Sequence, residues 1–155
     1  MSRLEKRKES LATRNLWNAG TRIRSAELFL SKEDWGDAIR EGNEALDFLA
    51  QALLLFSGIE RNRFQQPGPL LLSSKDKIPF PATTDWTKLQ QLLGEKNSAQ
   101  DISSIGGGDF MTFGDPFSAR ETLPPTQEEA SNLITDVKYL ADICRKILYS
   151  SKAKT

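Results

Sequence analysis

Residues 126–148 read TQEEASNLITDVKYLADICRKIL, and this stretch decides the fold. Thr126 offers a hydroxyl to an orphan N–H at a helix start, and after Gln127 the pair Glu128 and Glu129 puts acids at the positive end of the helix dipole. Behind them Ala130, Leu133, Val137, Leu140, Cys144 and Ile147 recur at intervals of three, four, three, four and three. That is the seam of a helix lying along another helix. The spacing predicts a long final helix opening after Pro124-Pro125, with Ser150 to Thr155 fraying at its end.

The same periodicity governs the start of the chain. Leu4, Leu11, Leu16, Ala19, Ile23, Ala26 and Leu30 fall on one helical face, which predicts a long first helix. Ser31 begins Ser-Lys-Glu-Asp, the pattern of a helix start, and Ala38, Ala45, Leu49, Ala52, Leu53 and Phe56 follow on a second face up to Gly58, a residue suited to end a helix. A second helix over about Lys32 to Ser57 is expected. No stretch alternates with the period of two that a strand requires. The middle is broken by Pro67, Pro69, Pro79, Pro81 and Gly106-Gly107-Gly108 into short pieces. Helices near Gly68 to Lys77 and Thr84 to Leu93, a loop over Asn97 to Gly108 and a helical turn at Asp109 to Phe113 are expected there. The fold class is all-α, an up-and-down bundle of two long antiparallel N-terminal helices, short middle helices and a long C-terminal one. At 155 residues the chain is one domain's length, read as a single domain over 1–155 with its core over about 4–150.

Composition closes several functional classes. Lysine and arginine number 21 and so do aspartate and glutamate, so any polyanion site must be a local patch. Histidine is absent, which removes the usual general base, the Ser-His and Cys-His nucleophile pairs and the commonest zinc ligand. Cys144 is the lone cysteine and cannot form an internal disulfide. With a charged first segment and no long apolar stretch, the chain is expected to be cytoplasmic and not to span a membrane. No cofactor is implied.

Charge is segregated. Residues 1–24 hold seven basic and two acidic groups, whereas residues 25–60 hold two basic and eight acidic. The plain reading is a pair of helices whose solvated flanks attract each other. The sharper one is a nucleic-acid stripe at Arg3, Lys6, Arg7, Lys8 and Arg14, which lacks the aromatics of a single-strand binder. Trp17 beside core Leu16 reads as inner face or interface, and Trp35 as the closure of the bundle's end. The run SIGGGDF is not a phosphate cradle, since Asp109-Phe110 stand where Lys-Ser/Thr would be needed. Glu41, Glu44 and Asp47 lie three residues apart on one helical stripe, the residue type for a divalent metal, although facing acids from other helices are normally required. Cys144, at a core position, reads as a small hydrophobe.

The order of segments carries a resemblance. Leu16-Trp17-Asn18-Ala19-Gly20 and Ser25-Ala26-Glu27-Leu28-Phe29-Leu30 are followed by Trp35-Gly36-Asp37-Ala38-Ile39, Asn43-Glu44-Ala45-Leu46 and Ala52-Leu53-Leu54-Leu55-Phe56-Ser57-Gly58. Then come Pro67-Gly68-Pro69-Leu70-Leu71-Leu72, Phe110-Met111-Thr112-Phe113-Gly114-Asp115 and Pro124-Pro125-Thr126-Gln127-Glu128-Glu129-Ala130. The chain resembles the higher eukaryotes and prokaryotes nucleotide-binding (HEPN) family over most of residues 16–150. The resemblance implies an all-α dimeric bundle. Catalytic relatives are ribonucleases that use an Arg and a His four to six residues apart. This chain has no His, and Ile102 to Phe110, where the motif would fall, has no Arg. The family's chemistry is therefore not expected here.

The expected function is a non-catalytic HEPN-like module, forming a homodimer, that binds a partner protein such as a nucleotidyltransferase in a toxin–antitoxin-like setting, or binds a nucleotide or RNA. Residues 61–82 carry four basic groups and one acidic. Arg61, Arg63, Lys75, Lys77 and Arg120 are the candidates for phosphate contact. One rival is a structural dimer built on apolar faces of the first and last helices. The other is a metal-dependent enzyme using Glu41, Glu44 and Asp47.

Overall fold

The computed structural model describes residues 2–94 and 123–153. Every regular element among them is helical: α1 over Arg3–Ser31, α2 over Trp35–Phe56, α3 over Pro67–Ser73, a 3-10 turn over Lys75–Lys77, α4 over Trp86–Leu93 and α5 over Gln127–Ala153. The protein is an all-α helical bundle. The chain divides into two units, Met1–Gly94 with Thr126–Thr155, and Glu95–Pro125; the first carries all of these helices. The expected loop at Asn97 to Gly108, the turn at Asp109 to Phe113, the glycine run and Arg120 lie outside the described residues.

Local chemistry sets the helix ends. The α5 start is as the sequence predicts: Glu129 N–H donates to Thr126 Oγ1 at 3.1 Å, and Thr126 N–H donates to Glu129 Oε1 at 2.8 Å. Two orphan donors are thereby satisfied reciprocally. The α2 start differs from expectation. Ser31 Oγ donates back to Leu28 O at 2.6 Å, which ties this residue to the end of α1. The turn passes through Glu33 at φ 60°, and Asp34 becomes the cap, its carboxylate accepting from Asp37 N–H at 3.2 Å. At the other end Gly58, at φ 71°, donates to Leu55 O and Ile59 donates to Leu54 O, the paired bonds that finish a helix on a left-handed residue. The expected helix at 68–77 is interrupted, because α3 ends at Ser73 and the chain tightens into the 3-10 turn. At the chain's end the helix runs on to Ala153, beyond the point where fraying is expected.

The core lies where α1, α2 and α5 meet. Ala12, Leu16, Ala19, Ile23 and Ala26 line the inner face of α1, and Leu46, Leu49, Ala50, Leu53 and Leu54 answer from α2. Leu4 and Leu11, expected on this face, are exposed, and Ala12 takes the buried place. At 29 residues against 22, α1 is about 10 Å longer than α2. From α5 come Val137, Leu140, Ala141, Cys144, Ile147 and Leu148. Leu133 is half-buried, lying so close over Gly42 that a methyl added there would sit 3.0 Å from Leu133 Cδ2. Fully burying each large aliphatic side chain contributes about 1.5–3 kcal/mol.

Direction follows from the contacts. Ala26 of α1, Ala38 of α2 and Ala130 and Ile134 of α5 form one cluster at the α1–α2 turn, with Trp35 packed against it. Farther along, Cys144 Sγ lies 3.8 Å from Leu49 O. Hence α2 is antiparallel to α1, and α5 runs alongside α2 in the same direction. Trp35 closes this end of the bundle, as the sequence suggests. Leu71, Ile78, Leu89, Leu92 and Leu93 cover the core from the short elements. Phe80 and Trp86 meet edge to face at 4.7 Å, and Tyr139 Oη accepts from Asp85 N–H at 2.8 Å to seat α4 on α5.

Candidate functional site

Three places gather the functional side chains singled out above. The first is the acidic stripe of α2. Glu41 is 5% exposed, a buried carboxylate in the middle of a helix. Arg22 Nη1 donates to its Oε1 at 3.1 Å, Arg22 Nη2 stands 3.5 Å from Glu44, and Arg40 Nη2 stands 3.7 Å from Glu41. The hydrogen bond to Glu41, and then the charges of Glu41 and Glu44, hold Arg22 above its ordinary pKa. A guanidinium thus occupies the space between the two acids, where a metal ion would need to sit. Asp47 lies one turn on, its pKa raised by crowding that strips solvent from it, against the pull of Arg61. Among the described residues no three His, Cys, Asp or Glu side chains are placed to hold a metal ion. The stripe expected as a candidate metal site is a charge clamp between α1 and α2.

The second place is the basic stretch after α2. Three of the four described candidates have separate partners. Arg61 Nη1 donates to Gln65 O at 2.8 Å, and its side chain lines a groove of about 310 Å³ with Lys8, Gln51, Leu54, Leu55 and Ile59. The Arg63 guanidinium rests 4.9 Å above the Phe64 ring, which is 82% exposed. Lys75 Nζ rests 4.9 Å above the Trp86 ring, and Lys77 ends the 3-10 turn as an exposed residue. Aromatic faces therefore take up two of the cations.

The third place, the outer face of α1, is the one that sequence reading undervalues. Arg3, Arg7, Ser10, Arg14, Trp17, Thr21, Arg24 and Leu28 follow one another at intervals of four, three, four, three, four, three and four, and every one is exposed. They stand opposite the buried seam of Ala12, Leu16, Ala19, Ile23 and Ala26. Trp17 is 70% exposed and Leu28 54%. Trp17 is therefore on the solvent face, and the signal that could have placed it was available: it falls between the buried positions 16 and 19. An open groove of about 460 Å³ runs beside it, lined by Lys6, Glu9, Ser10, Thr13, Arg14 and Trp17. No described acidic side chain is within ion-pair distance of Arg3, Arg7, Arg14 or Arg24. Lys8, counted in the sequence with this stripe, instead flanks the groove at the end of α2.

Two further expectations meet the packing directly. The apolar seams of α1 and α5, read as free faces for a structural dimer, are buried inside the chain's own core. Cys144 is fully buried, and desolvation pushes its thiol far above the ordinary range, which leaves it a small hydrophobe and no nucleophile. No described helix is long and apolar enough to cross a membrane. No family model, curated protein or solved structure matches the chain.

Proposed function

We propose that the chain is a non-catalytic, HEPN-type helical module whose work is binding, and that the outer face of α1 is the surface it uses. The order of segments given above supports the family reading. The bundle's role is then to hold α1 straight and present its outer stripe to a partner protein, a nucleotidyltransferase in a toxin–antitoxin-like pairing being the kind the resemblance implies. A second copy of the chain is the competing occupant. The observation that carries the reading is Trp17, a large aromatic 70% exposed among arginines on a long helix. Tryptophan and arginine are the residues most enriched among those that dominate binding energy at interfaces. The sequence supplies no imidazole for the ribonuclease chemistry of catalytic relatives, so binding is the activity left to this module.

Site-specific photo-crosslinking in the producing cell tests this. A photoreactive residue at Thr21, between Trp17 and Leu28, gives discrete adducts, whereas one at the exposed Asp142 of α5 gives none. Equal labelling from both positions, or none from either, would sink the proposal.

Phe64 favours a second reading. An exposed ring with Arg63 stacked on it and Arg61 nearby in sequence is a platform for a base and its phosphate. A nucleotide at a hundred times its dissociation constant stabilises the fold by about 2.7 kcal/mol. Thermal unfolding against a nucleotide panel and a short single-stranded RNA reads this as a rise of several degrees, absent in Phe64→Ala.

A further inference from the structure

We infer that the occupant of the α1 outer face is an acidic, amphipathic helix of a different protein. This rests on the preceding reading of that face as the working surface and goes on to name the chemistry of what binds there.

The stripe's eight exposed positions hold four arginines, one tryptophan, one leucine, two hydroxyls and no acid. Its charge is uncompensated within the described chain, since none of those arginines has an acidic partner there. The complement is therefore anionic and is not supplied by the described residues.

The chain's own helices do not supply it. Most of their acids are already engaged, Glu41 and Glu44 by Arg22, Asp37 by Arg40, Glu27 by Lys138, Asp136 by Lys88 and Asp142 by Arg145, and Glu9, Asp47 and Glu128, which are in no ion pair among the described residues, stand on three different helices and form no row. A second copy would have to break these pairs to set a row of carboxylates against the stripe. The charge pattern points to another chain.

Spacing selects a helix over a phosphate strand. Arg7 to Arg14 is seven residues and Arg14 to Arg24 is ten, about 10 and 15 Å along the axis. These intervals are close to two and three helical turns, so a helix laid alongside can set a carboxylate against each cation. A nucleic-acid strand carries a charge every few ångströms and would leave most of its phosphates unmatched. Leu28 adds to the distinction. It lies three turns beyond Trp17 on the same line, and the two give a pair of apolar anchors that a partner helix can cover and a phosphate backbone cannot.

The probe is a fluorescently labelled helical peptide of about 28 residues, enough to span the stripe at 1.5 Å per residue. It carries Glu and Leu at three- and four-residue spacing, and its anisotropy is followed as the full chain is added at low salt. A Lys-for-Glu version of the peptide and a short oligouridine are run in parallel. The Glu peptide is expected to bind saturably and the Lys peptide not at all. Trp17→Ala and the double variant Arg14→Glu, Arg24→Glu each weaken binding by about tenfold or more, with circular dichroism unchanged because all three side chains are in solvent. Failure of the Glu peptide, indifference to both variants, or tighter binding of oligouridine overturns the inference. If adducts still form from Thr21 while the Glu peptide fails, the acidic helix is wrong and the binding module stands. If neither occurs, both fall.

Discussion

Replacing Arg22 by methionine isolates the one buried charged side chain among the described residues, Glu41. Glu41 is 5% exposed, and its nearest cation is Arg22 at 3.1 Å, with Arg40 next at 3.7 Å. Breaking a fully buried ion pair from one side costs about 3–5 kcal/mol, chiefly because a charge is left behind in low dielectric. Arg22 is itself 41% exposed, and Arg40 remains, so the cost here falls to about 2 kcal/mol. Glu41→Gln should cost less, about 0.5–1 kcal/mol, since the amide still accepts from Arg22 and the freed guanidinium turns to water. The double variant should cost less than Arg22→Met alone, because no charge is then left behind, a coupling of about 1–2 kcal/mol. Urea unfolding followed by circular dichroism reads all three, and thermal unfolding should show Arg22→Met lower by roughly 4–8 °C. Simple additivity, or a Glu41→Gln variant as damaged as Arg22→Met, would refute the clamp. Stabilisation of the wild type by magnesium or manganese that Glu41→Gln removes would restore the metal reading of Glu41, Glu44 and Asp47.

Gly68→Ala and Gly20→Ala should move stability in opposite directions. A methyl at Gly68 would sit 2.7 Å from Leu93 O, a backbone atom that cannot swing aside, and should cost about 1–3 kcal/mol by prising α3 from α4. At Gly20 the nearest atom is the flexible tip of Arg24 at 3.7 Å, so alanine should gain about 0.5–1 kcal/mol from helix propensity. Asp47→Asn should raise the melting temperature slightly at neutral pH. Desolvation holds the Asp47 pKa above its unfolded value, so its charge opposes folding once pH rises through the folded pKa, and the gain should vanish below the ordinary aspartate range.

The inner architecture was legible because burial writes a period into the chain. The seams of the first and last helices needed only the positions of Ala, Leu, Ile and Val, and the Thr126 start needed only a hydroxyl three residues before Glu129. What could not be read turned on choices between equivalent residues. Ser31 and Asp34 are both good caps, and only the three-dimensional turn sends the Ser31 hydroxyl back to Leu28. Leu4 carries the right apolarity but sits where α1 runs past the end of α2, and Leu11 stands one position off the buried Ala12 and so off the inner face. The functional face was harder, since a metal stripe and a charge clamp look alike until Arg22 is seen between the acids. Trp17 turns on a related choice. Its apolarity argued for the core, while its register, between Leu16 and Ala19, argued for solvent, and register decides.

Oxidative footprinting of Trp17, with Phe64 as reference, tests the central claim most directly. Both rings are largely exposed in the free chain, at 70% and 82%. The account predicts that both oxidise readily in the purified protein, and that in the producing cell Trp17 and neighbouring Leu28 become protected while Phe64 does not. Equal oxidation of Trp17 in the cell and in the tube would contradict it, because the outer face of α1 would then have no occupant.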